Sequence, residues 1–204
     1  MCIPLRPSRL RARRPQAAAM DALLFVLIAA LLTWAAKRWP PAALAAVPVA
    51  ALGGTTLPDL DLLLGIGHRS GLTHSILLPA IVAASPRWRP VAAGVALGVG
   101  LHLSADCFPN GMRGFATVKW PRLDPIGAGS IGAWWSYLWL AGNAVASLAL
   151  GAWLLAREAS WAATVAVLGV VAVLGVGYLW VTDGGWPALL VFTGAGWALM
   201  RRRR

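Results

Sequence analysis

An all-α fold is what this sequence predicts: a polytopic bundle of about five to seven transmembrane helices, some short or partial. Three observations predict it. Hydrophobic residues make up 59% of the 204 and charged residues only 12%, against roughly 45–50% and about 25% in soluble globular proteins. The apolar residues fall in runs separated by proline and basic residues. The net charge of +11 collects at the chain ends and in the connections.

Residues 1–19 are Arg- and Pro-rich, then Ala-rich, with no apolar period, and read as a disordered basic tail. Met20 is an alternative translation start, because the apolar pattern begins directly after it. Residues 20–204 read as one integral-membrane helical domain. Its expected spans are 22–36, 41–55, 72–84, 90–105, 131–156, 160–181 and 185–199. The first also fits a signal peptide, but no small-x-small site precedes a polar mature start, which favours a retained helix. A crossing helix needs roughly 20 apolar residues. The fifth and sixth spans meet that, and the shorter ones are expected to stop part-way or to line an enclosed cavity. Pro40, Pro41, Pro86 and Pro90 mark the connections.

Seven spans put Lys37, Arg38, Arg87, Arg89, Arg157 and Arg201 to Arg204 on one face, and Arg69, Arg113, Lys119 and Arg122 on the other. Without the tail, this asymmetry places the C-terminus in the cytoplasm and the 57–79 and 106–130 loops outside. The basic ends suit membrane orientation or anionic lipid, and no aromatic-basic interleaving points to nucleic acid. Six of the twelve tryptophans, Trp134, Trp135, Trp139, Trp180, Trp186 and Trp197, lie near span ends and read as interfacial anchors. Cys2 and Cys107 do not form a disulfide framework, and Cys107 reads as a small core residue.

The chemistry gathers in two segments, "LPDLDLLLGIGHRSGLTHSILLP" (57–79) and "GLHLSADCFPNG" (100–111). They contain Asp59, Asp61, His68, His74, His102 and Asp106, which are all three histidines and three of the six aspartates. His102 and Asp106, four apart, share one face of a helix. Asp59 and Asp61, two apart beside Pro58, point the same way on an extended or turn backbone. Thr73 is expected to cap a helix over 74–84. An Asp near hydrocarbon costs about 2.5–3.5 kcal/mol on insertion scales, and clustered carboxylates repel one another. A divalent cation removes both penalties. Imidazole mixed with carboxylate suits Zn, Mn or Fe better than Ca, and six ligands are enough for one or two ions. Taken singly, each residue reads equally well as a helix cap or a hydrogen-bonded interfacial side chain.

The order "LPDLD", "HRSGLTHS", "GLHLSAD", then "NG" and "WP" resembles a bacterial and archaeal family of inner-membrane proteins, the membrane-bound metal-dependent hydrolases, which includes a LexA-regulated member. The resemblance covers residues 50–125. It departs from the family at Ser70–Gly71, where members often have Gly directly after His-Arg. It implies metal ligation by Asp59, Asp61, His68, His74, His102 and Asp106, and it supplies no substrate.

The function expected from these readings is metal-assisted hydrolysis of an ester or phosphoester of a lipid-like or anionic substrate at the membrane, with acidified water as nucleophile. Arg69 is the candidate for holding an anionic group. Asp61 is a candidate general base. Lys119 and Arg122 are candidate phosphate contacts beside Asp124, a turn residue. Ser75 reads as a helix-start hydrogen-bonder, since no Gly-x-Ser-x-Gly elbow surrounds it. Two alternatives stand beside this. One is an ion, proton or metal transporter; the other is a non-catalytic membrane protein with a structural metal.

Overall fold

The structure is a computed structural model that describes residues 9–37, 40–64, 66, 68–108, 117–120 and 129–201. The fold is all-α. Helices α1 (Arg9–Ala35), α2 (Pro41–Gly54), α3 (Asp61–Leu64), α4 (Leu77–Ala83), α5 (Arg89–Cys107), α6 (Ala133–Glu158), α7 (Trp161–Thr182) and α8 (Ala188–Arg201) follow one another, with 3-10 turns before α3 and α5. A two-residue antiparallel pair, β1 (Lys119–Trp120) and β2 (Gly129–Ser130), lies between α5 and α6.

Three segments are long and apolar enough to cross a bilayer: Pro86–Cys107, Ala133–Glu158 and Trp161–Thr182. The pair Pro41–Gly54 and Leu57–Leu64, bent by 53°, makes a fourth if read as one broken span. The apolar part of α1, Met20–Ala35, is shorter. Among the described residues helix runs from Arg9, so residues 9–19 carry helix where the sequence predicts an unstructured tail; Ala, Gln and Arg are strong helix formers. The expected helix over 74–84 begins instead at Leu77.

Helix α5 is the axis of the bundle. Its apolar stretch is 83% buried, against 33% for α7, whose outer face presents Val173, Trp180 and Val181. Small residues let its neighbours come close. Gly94 and Gly98 lie four apart, and a Cβ at either would strike the backbone of α2 at Val47 or Ala51. A Cβ on Gly54 would sit 2.7 Å from the Val95 carbonyl oxygen. On the other side, a Cβ at Gly151 of α6 would lie 2.8 Å from the Ala93 carbonyl. Glycines spaced in this way bring helix backbones together where lipid removes the hydrophobic drive to associate.

The termini sort into two ends. At one, Arg89 Nη1 donates to Glu158 Oε1 at 2.8 Å, tying the start of α5 to the end of α6. At the other, Ser104 Oγ donates to the Gly185 carbonyl at 3.0 Å, and Gly185 N donates to the Phe108 carbonyl at 2.7 Å. Gly185 has φ +77° and a Cβ there would meet Ala105 N at 2.7 Å, so this turn requires glycine. The turn between α7 and α8 thus pins the C-terminal turn of α5, which carries Asp106.

Gly98→Leu is expected to destabilise the protein by about 1–3 kcal/mol through overpacking, read as a lower thermal midpoint in detergent. Gly169→Leu, where a Cβ meets nothing within 4 Å, is expected to leave the midpoint unchanged.

Candidate metal centre

The centre lies where α2, α5, the 3-10 turn Leu57–Leu60, α3 and the 68–76 loop meet. Because Gly54 packs on α5, Thr55 follows directly against His102, whose Nδ1 lies 2.8 Å from the Thr55 carbonyl oxygen. A carbonyl only accepts, so Nδ1 carries the proton and Nε2 presents a lone pair in the neutral ring. Tyr178 Oη of α7 lies 3.1 Å from the same Nδ1.

His74 is completely buried. Its Nδ1 faces Thr73 Oγ1 at 3.1 Å and Asp61 Oδ2 at 3.5 Å, both able to accept, so its Nε2 is again the open nitrogen. Burial pushes the His74 imidazole below its ordinary range against the raising pull of Asp106, which keeps the ring neutral. Helix α6 supports this loop from behind. Trp139 Nε1 donates to the His74 carbonyl at 2.9 Å, and Asn143 Oδ1 accepts from Ile76 N at 3.0 Å.

The open atoms converge. Asp106 Oδ2 lies 3.4 Å from His74 Nε2 and 3.6 Å from His102 Nε2. All three atoms are buried and none has a hydrogen-bond partner. Three lone-pair acceptors facing one another are unfavourable unless a cation, or an added imidazole proton, lies among them. Ligands of a tetrahedral ion at about 2.0–2.1 Å stand roughly 3.3–3.4 Å apart, so the spacing fits a divalent ion. Asp59 Oδ1 completes the inner group at 3.9 Å from His102 Nε2. Asp59 also belongs to a second group with Asp61 and His68; within Asp59, His74 and His102, and within Asp59, Asp61 and His68, the ligand atoms lie within 4.8 Å of one another. His68 Nδ1 is 3.5 Å from Asp61 Oδ1 and 3.9 Å from Asp59 Oδ1.

All six expected ligands therefore meet in one cluster, drawn from two segments of the chain, with Asp59 and His102 43 residues apart (102 − 59). Their geometry departs from expectation in two places. Asp59 and Asp61 sit on 3-10 and α-helical backbone, where residues two apart diverge. Asp61 turns fully inward and Asp59 remains half-buried. Thr73 caps no helix: its hydroxyl lies 3.1 Å from the Ser70 carbonyl and 3.3 Å from Asp61 Oδ2. Asp61 Oδ2 also accepts from Ser70 N at 3.0 Å.

Arg69 has φ +65°, a left-handed conformation uncommon for a residue with a side chain. Two backbone bonds hold it there. Lys119 N donates to the Arg69 carbonyl at 2.9 Å, and Gly71 N donates to the Lys119 carbonyl at 2.8 Å. A Cβ on Gly71 would press on the Trp120 ring at 2.9 Å. The Ser70–Gly71 pair thus lets β1 lie against the loop. Arg69 Nε reaches to 3.7 Å from Asp106 Oδ2. Ser75 Oγ accepts from Leu77 N at 3.2 Å at the start of α4. Cys107 is buried, with Sγ 3.7 Å from the Tyr137 carbonyl. Arg113, Arg122 and Asp124 lie outside the described residues.

The sequence reading missed Thr55, Tyr178, Trp139 and Asn143. Tyr178 carried a signal, a phenol in an otherwise apolar helix. Trp139, read from sequence as an anchor, holds the His74 loop through its Nε1. Thr55 acts through its backbone carbonyl, which no side-chain pattern reveals. No family model, curated protein or solved structure matches the chain.

Arg69→Gly is expected to relieve the backbone while removing the guanidinium, and Arg69→Ala to remove only the guanidinium. The Gly variant should be the more stable of the two by about 1 kcal/mol, measured by thermal unfolding in detergent.

Proposed function

We propose that this chain is a membrane-embedded, divalent-metal-dependent hydrolase acting on an ester or phosphoester of a lipid-like substrate, as the resemblance of its motifs implies. One observation carries the reading: the convergence of His74 Nε2, His102 Nε2 and Asp106 Oδ2, all buried and all without hydrogen-bond partners. The three helices able to cross a bilayer support the membrane setting.

We assign His74, His102, Asp106 and Asp59 to an inner ion, and Asp59, Asp61 and His68 to an outer one, with Asp59 shared. The mixed imidazole and carboxylate donors suit Zn, Mn or Fe. When bound, such ions polarise the scissile bond and acidify water. The remaining work falls to the chain's own groups. The Thr55 carbonyl holds the His102 Nδ1 proton, and Thr73 with Asp61 does the same for His74, so both Nε2 lone pairs aim at one point. Asp61 is fully buried with Oδ2 already engaged, so we assign it to orientation rather than to the general-base role expected from sequence. His68 and Arg69 are each 38% exposed and Asp59 is 30% exposed, so water and substrate approach from their side. Arg69 on that side is suited to an anionic group. This open side favours catalysis over a closed structural metal site.

Elemental analysis of gently purified protein is expected to find stoichiometric transition metal, lost in His102→Ala and in Asp106→Asn. Asp61→Asn should remove the outer ion, and weaken affinity for the inner one by about 10–100-fold through loss of the partner that orients His74. Metal-free wild-type protein would remove the basis of this function. With metal present, a panel of lipid esters and phosphoesters should show turnover that chelation abolishes; a metal-loaded protein inert on the whole panel would point to transport or a structural ion.

A further inference from the structure

Among the described residues, Arg69 is the fixed cation that pairs with a carboxylate of the metal centre. Its backbone is clamped by β1. Lys119 N donates to the Arg69 carbonyl and the Lys119 carbonyl accepts from Gly71 N, which holds the left-handed turn at φ +65°. From that point the side chain reaches toward Asp106, and it is 38% exposed, as His68 beside it is.

The contact with Asp106 is incomplete. Arg69 Nε stops 3.7 Å from Asp106 Oδ2, beyond the about 2.7–3.2 Å of a hydrogen bond. Nε is buried, and neither it nor Oδ2 has a hydrogen-bond partner. A guanidinium that served only to brace Asp106 would close on it at about 2.7–2.9 Å. His74 Nε2 and His102 Nε2, on side chains 0% and 8% exposed, also lack partners and face the same Oδ2. One charged donor and three acceptors thus border one space. The inner ion assigned above takes the acceptors. The donor is left for an oxygen that the chain does not supply.

Charge decides which oxygen that is. Asp59, Asp61 and Asp106 carry three negative charges, and histidines are neutral when they act as ligands. Two divalent ions together with Arg69 exceed them by two positive charges. A carboxylic ester is neutral and leaves that excess uncompensated. A phosphodiester, with a single negative charge, offsets half of it. A phosphomonoester carries about 1.5–2 negative charges near neutral pH and offsets nearly all of it. The Nε edge of a guanidinium also presents two parallel N–H groups, which match two phosphate oxygens.

We infer that the site selects a terminal phosphate, so that the substrate is a phosphomonoester whose phosphate oxygens Arg69 binds beside Asp106. The inference rests on the proposed two-ion hydrolase for its charge balance, and on the unfilled Arg69 Nε for where the phosphate lies. Hydrolysis of such a substrate forms a P–O bond from water, breaks the P–O bond to the alcohol and passes a water proton to the departing alkoxide. Inorganic phosphate is then a product, and a ligand of the same site.

The test measures binding of radiolabelled inorganic phosphate to the metal-loaded full chain in phosphatidylcholine nanodiscs, with metal content determined on the same samples. Arg69→Gln is expected to weaken phosphate binding by about 10–100-fold, as loss of charge-assisted hydrogen bonds does, without lowering metal content. Arg69→Lys keeps the charge, loses the fork and should fall between the two. Dimethyl phosphate, a monoanion, should compete at least about tenfold less well than methylphosphonate as a dianion, because it forgoes one unit of ion pairing. Competition by phosphatidic acid in the disc would support a lipid source of the phosphate, and competition by glycerol phosphate in solution a soluble one; competition by neither overturns the inference. Phosphate binding that is absent with metal in place, or unchanged in Arg69→Gln, overturns it and leaves the hydrolase reading with a carboxylic ester. Dimethyl phosphate competing as well as methylphosphonate overturns it too. Metal content lowered in both Arg69 variants would make Arg69 a brace for Asp106, against the inference. Wild type without stoichiometric metal defeats the hydrolase reading and the inference together, a failure that the metal measurement tells apart from the others.

Discussion

The close approach of α2 to α5 is the constraint on which the candidate site depends. Gly94 and Gly98 present bare backbone to Val47, Ala51 and Gly54, and no side chain larger than hydrogen fits between. That contact delivers the Thr55 carbonyl to His102 Nδ1 at 2.8 Å. The carbonyl fixes the proton on Nδ1, and the other ring nitrogen faces His74 and Asp106. A packing feature two turns or less from the chemistry therefore sets which nitrogen is open. Without it, the imidazole would be free to rotate and the convergence of ligand atoms would be lost.

The second support is the 68–76 loop, which enters the bundle although it has little regular structure. A buried loop must satisfy its own backbone. This one does so with Lys119 of β1, with Trp139 and Asn143 of α6, and with Asp61 and Ser70 inside the loop region. Asp61 thereby acts as a hub, binding the loop backbone through Ser70 N and facing both His68 and His74. The left-handed backbone at Arg69 sits at the point where the loop turns from β1 toward Asp106. Strain of this kind persists only where surrounding bonds over-determine it.

The two halves of the centre differ in exposure. His74 and His102 are buried between α5 and the His74 loop, while Asp59, His68 and Arg69 border the outside. All three histidines gather there, while exposed Leu, Val and Trp side chains line the helix flanks. Three of those helices are long and apolar enough to cross a bilayer, and the cluster lies near their ends.

Composition and apolar runs by themselves determined the all-α class and the approximate places of the long helices, because hydrophobic length is a local property of the chain. They also picked out Asp59, Asp61, His68, His74, His102 and Asp106, since ionisable side chains stand out against so apolar a background. Tertiary structure alone decided how those residues divide. Asp61 is fully buried and Asp59 half-buried between the two groups, on a turn after Pro58 that is helical, which two residues of spacing could not reveal. It alone recruited Thr55, Trp139, Asn143 and Tyr178, which act through a backbone carbonyl or across distant helices. Those roles depend on how closely helices approach, and that distance is set by glycines whose partners lie elsewhere in the chain.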